Sequence, residues 1–169
     1  VAFGPRSRDG EARAGARSAA AKLLEKFGLG DFGDKFPDQL SGGMKRRAEI
    51  AQAVINSPAL MILDEPFRGL DVMTRELLQE YYLGLFEETG MSTVFITSEL
   101  DEALFLADRI YFMTEPPSRI SRVLEVDLPR PRTFEVAATE RYLELKREAL
   151  DELYSDAAGR GDGEGATGP

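Results

Sequence analysis

Leu60-Met61-Ile62-Leu63-Asp64-Glu65-Pro66 is an apolar run that ends abruptly in two adjacent carboxylates. Residues 59–63 are continuously apolar, the pattern of a strand buried on both faces of a parallel sheet. A carboxylate pair at the C-terminal end of such a strand stands where α/β sheets hold metals and position water. If the strand stays extended, Asp64 and Glu65 project to opposite sides and can serve different purposes. Upstream, Leu40-Ser41-Gly42-Gly43-Met44 reads as a glycine-rich turn opening a helix, with Ser41 a good N-cap. A Gly-Gly pair lets backbone N–H groups approach an anion without interference from Cβ, and a helix start adds partial positive charge. An ordinary capped helix accounts for Ser41 but not for the glycines, which weaken a helix start by lost chain entropy. Together the two segments form half of a phosphate-handling site.

The flanking sequence alternates helix and strand. Met44, Ala48, Ala51 and Val54/Ile55 recur at helical spacing until Asn56-Ser57-Pro58 stops them. An earlier helix is expected near Ala16–Phe27, with Ala19, Leu23, Leu24 and Phe27 on one side, broken by Gly28, Gly30 and Gly33. Downstream, a helix from about Met73 to Glu88 turns Leu77, Leu78, Tyr81 and Leu85 inward and stops at Gly90. Strands are expected at 92–97, 109–113 and about 121–127, with a helix at 99–107 giving the β-α-β alternation of a parallel sheet. After Pro129-Arg130-Pro131, residues 136–154 are charged and helical in period (Tyr142, Leu145, Ala149, Leu150, Leu153). The Gly/Asp-rich tail from Ser155 reads as disordered, and its Arg160-Gly161-Asp162 adhesion tripeptide as chance.

Composition narrows the function classes. A chain of 169 residues is one domain's worth, and 43% hydrophobic content is enough for a core. A net charge of −9 argues against a nucleic-acid surface. The basic exception, Lys45-Arg46-Arg47, reads as a solvated helix face. There is no Cys, hence no disulfide framework and no thiolate zinc site. No apolar stretch approaches the ~18–20 residues of a membrane span, so membrane association is expected through a partner.

The Leu-Ser-Gly-Gly-Met turn and the strand ending in Asp64-Glu65 resemble the signature and Walker B motifs of ABC-type ATPases. Phe67-Arg68-Gly69-Leu70-Asp71 is similar to the family's D-loop, and Val94-Phe95-Ile96-Thr97-Ser98-Glu99 to its switch-histidine strand. Asp101-Glu102-Ala103 and Leu106-Ala107-Asp108-Arg109 extend the likeness, which covers roughly residues 1–131. Within the family, the signature, the run from Glu65 to Glu76 and Val126-Asp127-Leu128-Pro129-Arg130-Pro131-Arg132 look most like ATP-binding subunits of nitrate/sulfonate/taurine-type importers.

The resemblance implies an α/β, P-loop NTPase-like fold: a mostly parallel sheet flanked by helices, with a helical subdomain. It divides the chain into a helical subdomain with the signature (1–57), the Walker B, D-loop and switch part of the core (58–128), and a C-terminal helix and tail (129–169). By position in the family, Asp64 would hold Mg²⁺ and Glu65 would polarise the attacking water as general base. Ser41, Gly42, Gly43 and Met44 would close over the γ-phosphate of ATP held by a second subunit, with the Ser41 hydroxyl and the Gly43 amide as the phosphate contacts, and Asp71 would couple the two composite sites. Met44 replaces the more usual Gln. Ser98 stands where the family places its switch histidine, and the chain contains no histidine at all. A serine donates one hydrogen bond but carries no positive charge, and Ser98-x-x-Asp101 also reads as a capping pair for the next helix. That structural role is the better account of Ser98.

No Gly-Lys dipeptide occurs, so the phosphate-cradling Walker A sequence is missing and the chain reads as the C-terminal fragment of a longer protein, inactive by itself. The implied activity is ATP hydrolysis energising solute import. A second ATP-binding subunit, a transmembrane permease and a solute-binding protein would be its partners, at the cytoplasmic face of the plasma membrane. Two alternatives carry the same motifs: a regulatory, non-hydrolysing signature-only subunit, favoured by Ser98 and the absent P-loop, and a non-transport ATPase of the same type. The latter usually carries heptad insertions or basic surfaces, and this chain has neither.

Overall fold

The computed structural model describes residues 13–158, and the chain divides into two compact units that meet in sequence between Ile96 and Thr97. The first contains α1 (Arg13–Lys26), α2 (Gly42–Val54), β1 (Leu60–Asp64), α3 (Val72–Thr89) and β2 (Ser92–Ile96), with single 3-10 turns at Gly30–Phe32 and Pro37–Gln39. Past the end of α1, Gly28 takes φ +64, a conformation open to glycine at no steric cost, and Phe27 and Leu29 on either side of it are buried. Arg47 of α2 donates to the Phe27 carbonyl at 3.0 Å. The basic triplet is therefore not a solvated face throughout: Arg46 pairs with Glu49, whereas Arg47 is half-buried and holds the end of α1. A guanidinium beside a helix C-terminus meets the unpaired carbonyls and the negative end of the dipole.

The strands β1 and β2 pair in parallel, Leu60 opposite Ser92 through Asp64 opposite Ile96. Alternation sends Met61, Leu63, Thr93 and Phe95 to one face, where Phe95 meets the rings of Phe67, Tyr82 and Phe86 at 5.6–6.4 Å. The opposite face, Leu60, Ile62, Val94 and Ile96, is 47–65% exposed. The expectation of a strand buried on both faces is thus met on one face only, because the helices of this unit cover a single side of the pair. Along α3 the inward stripe is Leu78, Tyr82 and Leu85, with Gln79 and Leu83. Leu77, expected inward, lies outside that stripe and is exposed, and Tyr81 stacks on Phe27 with ring centroids 6.0 Å apart. Gly90 ends the helix at φ +62, as its sequence position predicts.

The second unit holds α4 (Leu100–Leu106), β3 (Arg109–Met113), β4 (Ile120–Glu125), a 3-10 segment at Phe134–Ala138 and α5 (Glu140–Ala158). The α/β class stands, but the strands do not form one mostly parallel ladder. Among the described residues they make two pairs, β1 with β2 parallel and β3 with β4 antiparallel. Residues 114–119 explain the second: so short a connection returns the chain alongside itself, whereas a parallel neighbour needs a crossover of a dozen residues or more. Helix α5 continues through Ser155–Ala158, against the expectation of disorder from Ser155, and residues 159–169, including Arg160-Gly161-Asp162, lie outside the described residues.

Two polar devices fasten this unit. Asp101 of α4 accepts from Tyr142 Oη and Lys146 Nζ of α5, each at 2.8 Å. Burial alone would raise the Asp101 pKa, but the bonds from Lys146 and Tyr142 outweigh it and hold the carboxyl below its ordinary value. A depressed carboxyl pKa contributes stability above the unfolded-state value and loses it as pH falls. Asp101→Asn should therefore flatten the acid limb of a plot of melting temperature against pH between about 5 and 3, the range in which such carboxyls titrate. An acid limb as steep in the variant as in the wild type would remove Asp101 from that role. The second device is Arg132, a buried guanidinium that donates to the carbonyls of Leu104, Phe105, Ala107, Val126 and Leu128 at 2.7–3.4 Å.

Candidate functional site

Helix α2 starts as its sequence predicts. Ser41 is the N-cap in extended backbone, its Oγ accepting from the Met44 N–H at 3.3 Å while its carbonyl accepts from the Lys45 N–H at 2.9 Å. The glycines behind it differ. A Cβ on exposed Gly42 would meet nothing within 4 Å, whereas one on buried Gly43 would lie 2.5 Å from Thr74 Cγ2. Gly42 is open to an approaching ligand; Gly43 is glycine because α3 crosses against it. Nothing in the sequence marks Thr74, because a close helix crossing leaves no sign on one helix alone.

At the other motif, β1 delivers Asp64 to an exposed strand end. Glu65 next to it does not stay extended: its φ is +44, although its N–H still donates to Ile96 O at 2.8 Å. The two carboxylates are therefore not disposed as alternate residues of one strand, and the chain turns at Glu65 into buried Pro66 and Phe67. A non-glycine residue at positive φ costs about 1–3 kcal/mol, and such positions cluster at functional sites. The turn runs on through Gly69, φ +77, to Asp71.

Asp71 is the N-cap of α3. Its Oδ1 accepts from Thr74 N–H at 3.0 Å and its Oδ2 from Thr74 Oγ1 at 2.7 Å. The side-chain and backbone bonds from Thr74 hold its pKa below the usual carboxylate value.

Ser98 lies in the second unit, one residue before the N-cap position of α4 rather than at it. The N-cap there is Glu99, without a side-chain cap bond, and the Glu99 N–H is taken by Thr97 Oγ1 at 3.0 Å. Asp101, the other half of the expected pair, is engaged by Tyr142 and Lys146. The Thr97 hydroxyl, bonded to the backbone two residues on, closes a short turn just ahead of α4.

Among the described residues no three His, Cys, Asp or Glu gather into a metal cluster. One exposed strand-end carboxylate suits Mg²⁺, which keeps its waters and is bound through one or two carboxylates together with substrate phosphates. Asp64 fits that use. No described helix is long and apolar enough to cross a membrane.

Residues 4–68 match the ABC transporter family model. A nitrate import ATP-binding protein of Synechococcus elongatus is 50% identical over 133 residues, covering 78% of this chain and 48% of that protein. A bicarbonate transport ATP-binding protein of the same organism is 44% identical over 129 residues, covering 75% of this chain and 20% of that protein. The chain thus spans about half the length, or less, of such relatives. Among solved structures, an ABC transporter component from Clostridium perfringens superposes with a TM-score of 0.68 at 24% identity, covering 90% of this chain and 57% of its own. A dimeric ATP-binding cassette bound to ADP and phosphate gives a TM-score of 0.60 at 28% identity, covering 72% of this chain and 52% of its own. In sequence and in fold, the chain carries the ABC transporter ATP-binding family's pattern and resembles the ATP-binding proteins of nitrate importers.

Proposed function

We propose that this chain is the signature- and Walker B-bearing part of an ATP-hydrolysing subunit that energises import of a small oxyanion of the nitrate type. The observation that carries the reading is the strand end at Asp64-Glu65, where an exposed carboxylate and a strained one follow each other directly. Asp64 would hold Mg²⁺, whose chemistry is to neutralise charge on the phosphates. Glu65 takes the proton of the attacking water at its carboxylate oxygen. The Ser41 hydroxyl and the Gly43 amide contact the γ-phosphate of ATP held by a second subunit, Gly42 leaves room for its approach, and Met44 closes that turn. Asp71 fixes the D-loop position, and Ser98 donates a single hydrogen bond where a histidine would otherwise stand. Residues 1–57, 58–128 and 129–169 are the corresponding functional parts. A permease and a solute-binding protein complete the assembly at the cytoplasmic face of the plasma membrane, and nucleic acid has no part in it.

The test is uptake of labelled nitrate, bicarbonate and taurine by cells with and without the native gene product containing this chain. Loss of ATP-dependent nitrate uptake is the expected result. Loss confined to one of the others would move the solute and keep the importer. Undiminished uptake of all three, with ATP hydrolysis by the purified protein intact, would favour the non-transport reading.

A further inference from the structure

We propose that Thr74 is a positioning residue that locks the signature turn to the D-loop position, and that Gly43 is glycine on its account. The geometry forms a chain of three contacts inside the first unit. Asp71 caps α3 and accepts from both the N–H and the hydroxyl of Thr74. A threonine side chain has one torsion, so the 2.7 Å bond from Oγ1 to Asp71 Oδ2 fixes where its methyl points. That methyl sits against Gly43, whose missing Cβ would stand 2.5 Å from it. Ordinarily a threonine methyl could rotate out of such a clash; here rotation breaks the bond to Asp71. The starts of α2 and α3 are thereby held in one register, and a shift of Asp71 is passed through Thr74 to the amides of Gly42–Met44.

Gly42 has no such neighbour, so only Gly43 is held to glycine by the crossing. The consequence for catalysis rests on the reading of Ser41–Met44 as a phosphate contact; the packing itself does not.

The experiment uses Gly43→Ala, Thr74→Ser and the double variant in the native gene product that contains this chain, read by thermal melting and by amide hydrogen exchange. Thr74→Ser keeps the hydroxyl and removes only the methyl. Gly43→Ala should lower the melting temperature and speed exchange of the Met44 and Lys45 amides about tenfold, a change of ~1.4 kcal/mol in opening. Adding Thr74→Ser should return both to the level of Thr74→Ser alone. A local helix defect would leave the double variant as impaired as Gly43→Ala, and that result overturns the proposal. Steady-state ATP hydrolysis of the same variants in the native gene product then reads positioning: recovered turnover in the double variant supports it, and a folded but inactive double variant overturns it. An inactive wild type would sink the proposed function instead and leave the melting and exchange result standing.

Discussion

Glu65→Gln in the native gene product should leave ATP binding intact and lower steady-state hydrolysis by at least about 10²-fold, the low end of what a general base contributes. Glutamine has the length and backbone preferences of glutamate, so the turn at φ +44 and the bond from its N–H to Ile96 O should persist. What changes is one acceptor: an amide oxygen cannot take a proton from water near neutral pH. Because the step before water attack is untouched, the ATP-bound assembly should accumulate, visible as a dimer on size exclusion when ATP is present. Asp64→Asn provides the contrast, since it should raise the Mg²⁺ concentration needed for half-maximal turnover. Unchanged hydrolysis in Glu65→Gln would remove that carboxylate from the mechanism.

How far the chain can be read from its sequence depends on the range of each signal. Ser41 and Asp71 as caps, Gly90 as a stop, and β1 between Leu60 and Asp64 are local matters of hydrogen-bond donors and steric freedom. Local chemistry of that kind is written in a few consecutive residues. What stays hidden depends on partners distant in sequence. Thr74 matters through Gly43, and Arg47 through the Phe27 carbonyl. Helix periodicity gives a stripe but not its phase, so the pattern turns Leu77 inward although it is exposed and Tyr82 and Leu83 do the packing. The pattern Ser98-x-x-Asp101 matches a capping pair, yet the helix takes Glu99 as its N-cap and the Asp101 carboxylate accepts from Tyr142 and Lys146 of α5. Which donors reach one carboxylate is decided by geometry that the pattern does not contain. The positive φ of Glu65 is equally invisible, since nothing in its identity favours it.

Arg132→Met should destabilise the second unit by about 2–4 kcal/mol, the largest stability effect expected of a single change outside the site. In the sequence Arg132 is no more than the end of a family-like run; in the fold it is 4% exposed and inserted among carbonyls. Its Nη1 donates to the carbonyls of Leu104, Phe105 and Ala107 at the end of α4, and Nη2 to those of Val126 and Leu128. The last carbonyls of a helix have no partner within it, and here water has little access to supply one. A planar guanidinium satisfies several at once and brings positive charge to the negative end of the helix dipole. Methionine fills similar volume and spares the cost of burying a charge, which offsets part of the loss. The unpaired carbonyls outweigh that gain, at ~1–3 kcal/mol for a buried group left unsatisfied. Arg132→Lys should fall between, because one ammonium cannot span carbonyls on both sides. Arg17→Ala is the control. Its ion pair with Asp34 joins side chains that are 84% and 96% exposed, so its loss should cost under about 1 kcal/mol. Urea titration followed by hydrogen exchange would locate the effect, with faster exchange in α4 and α5 and none in α1 to α3. Arg132→Met within about 1 kcal/mol of wild type would mean that the carbonyls find other donors and that the guanidinium does not hold the end of α4.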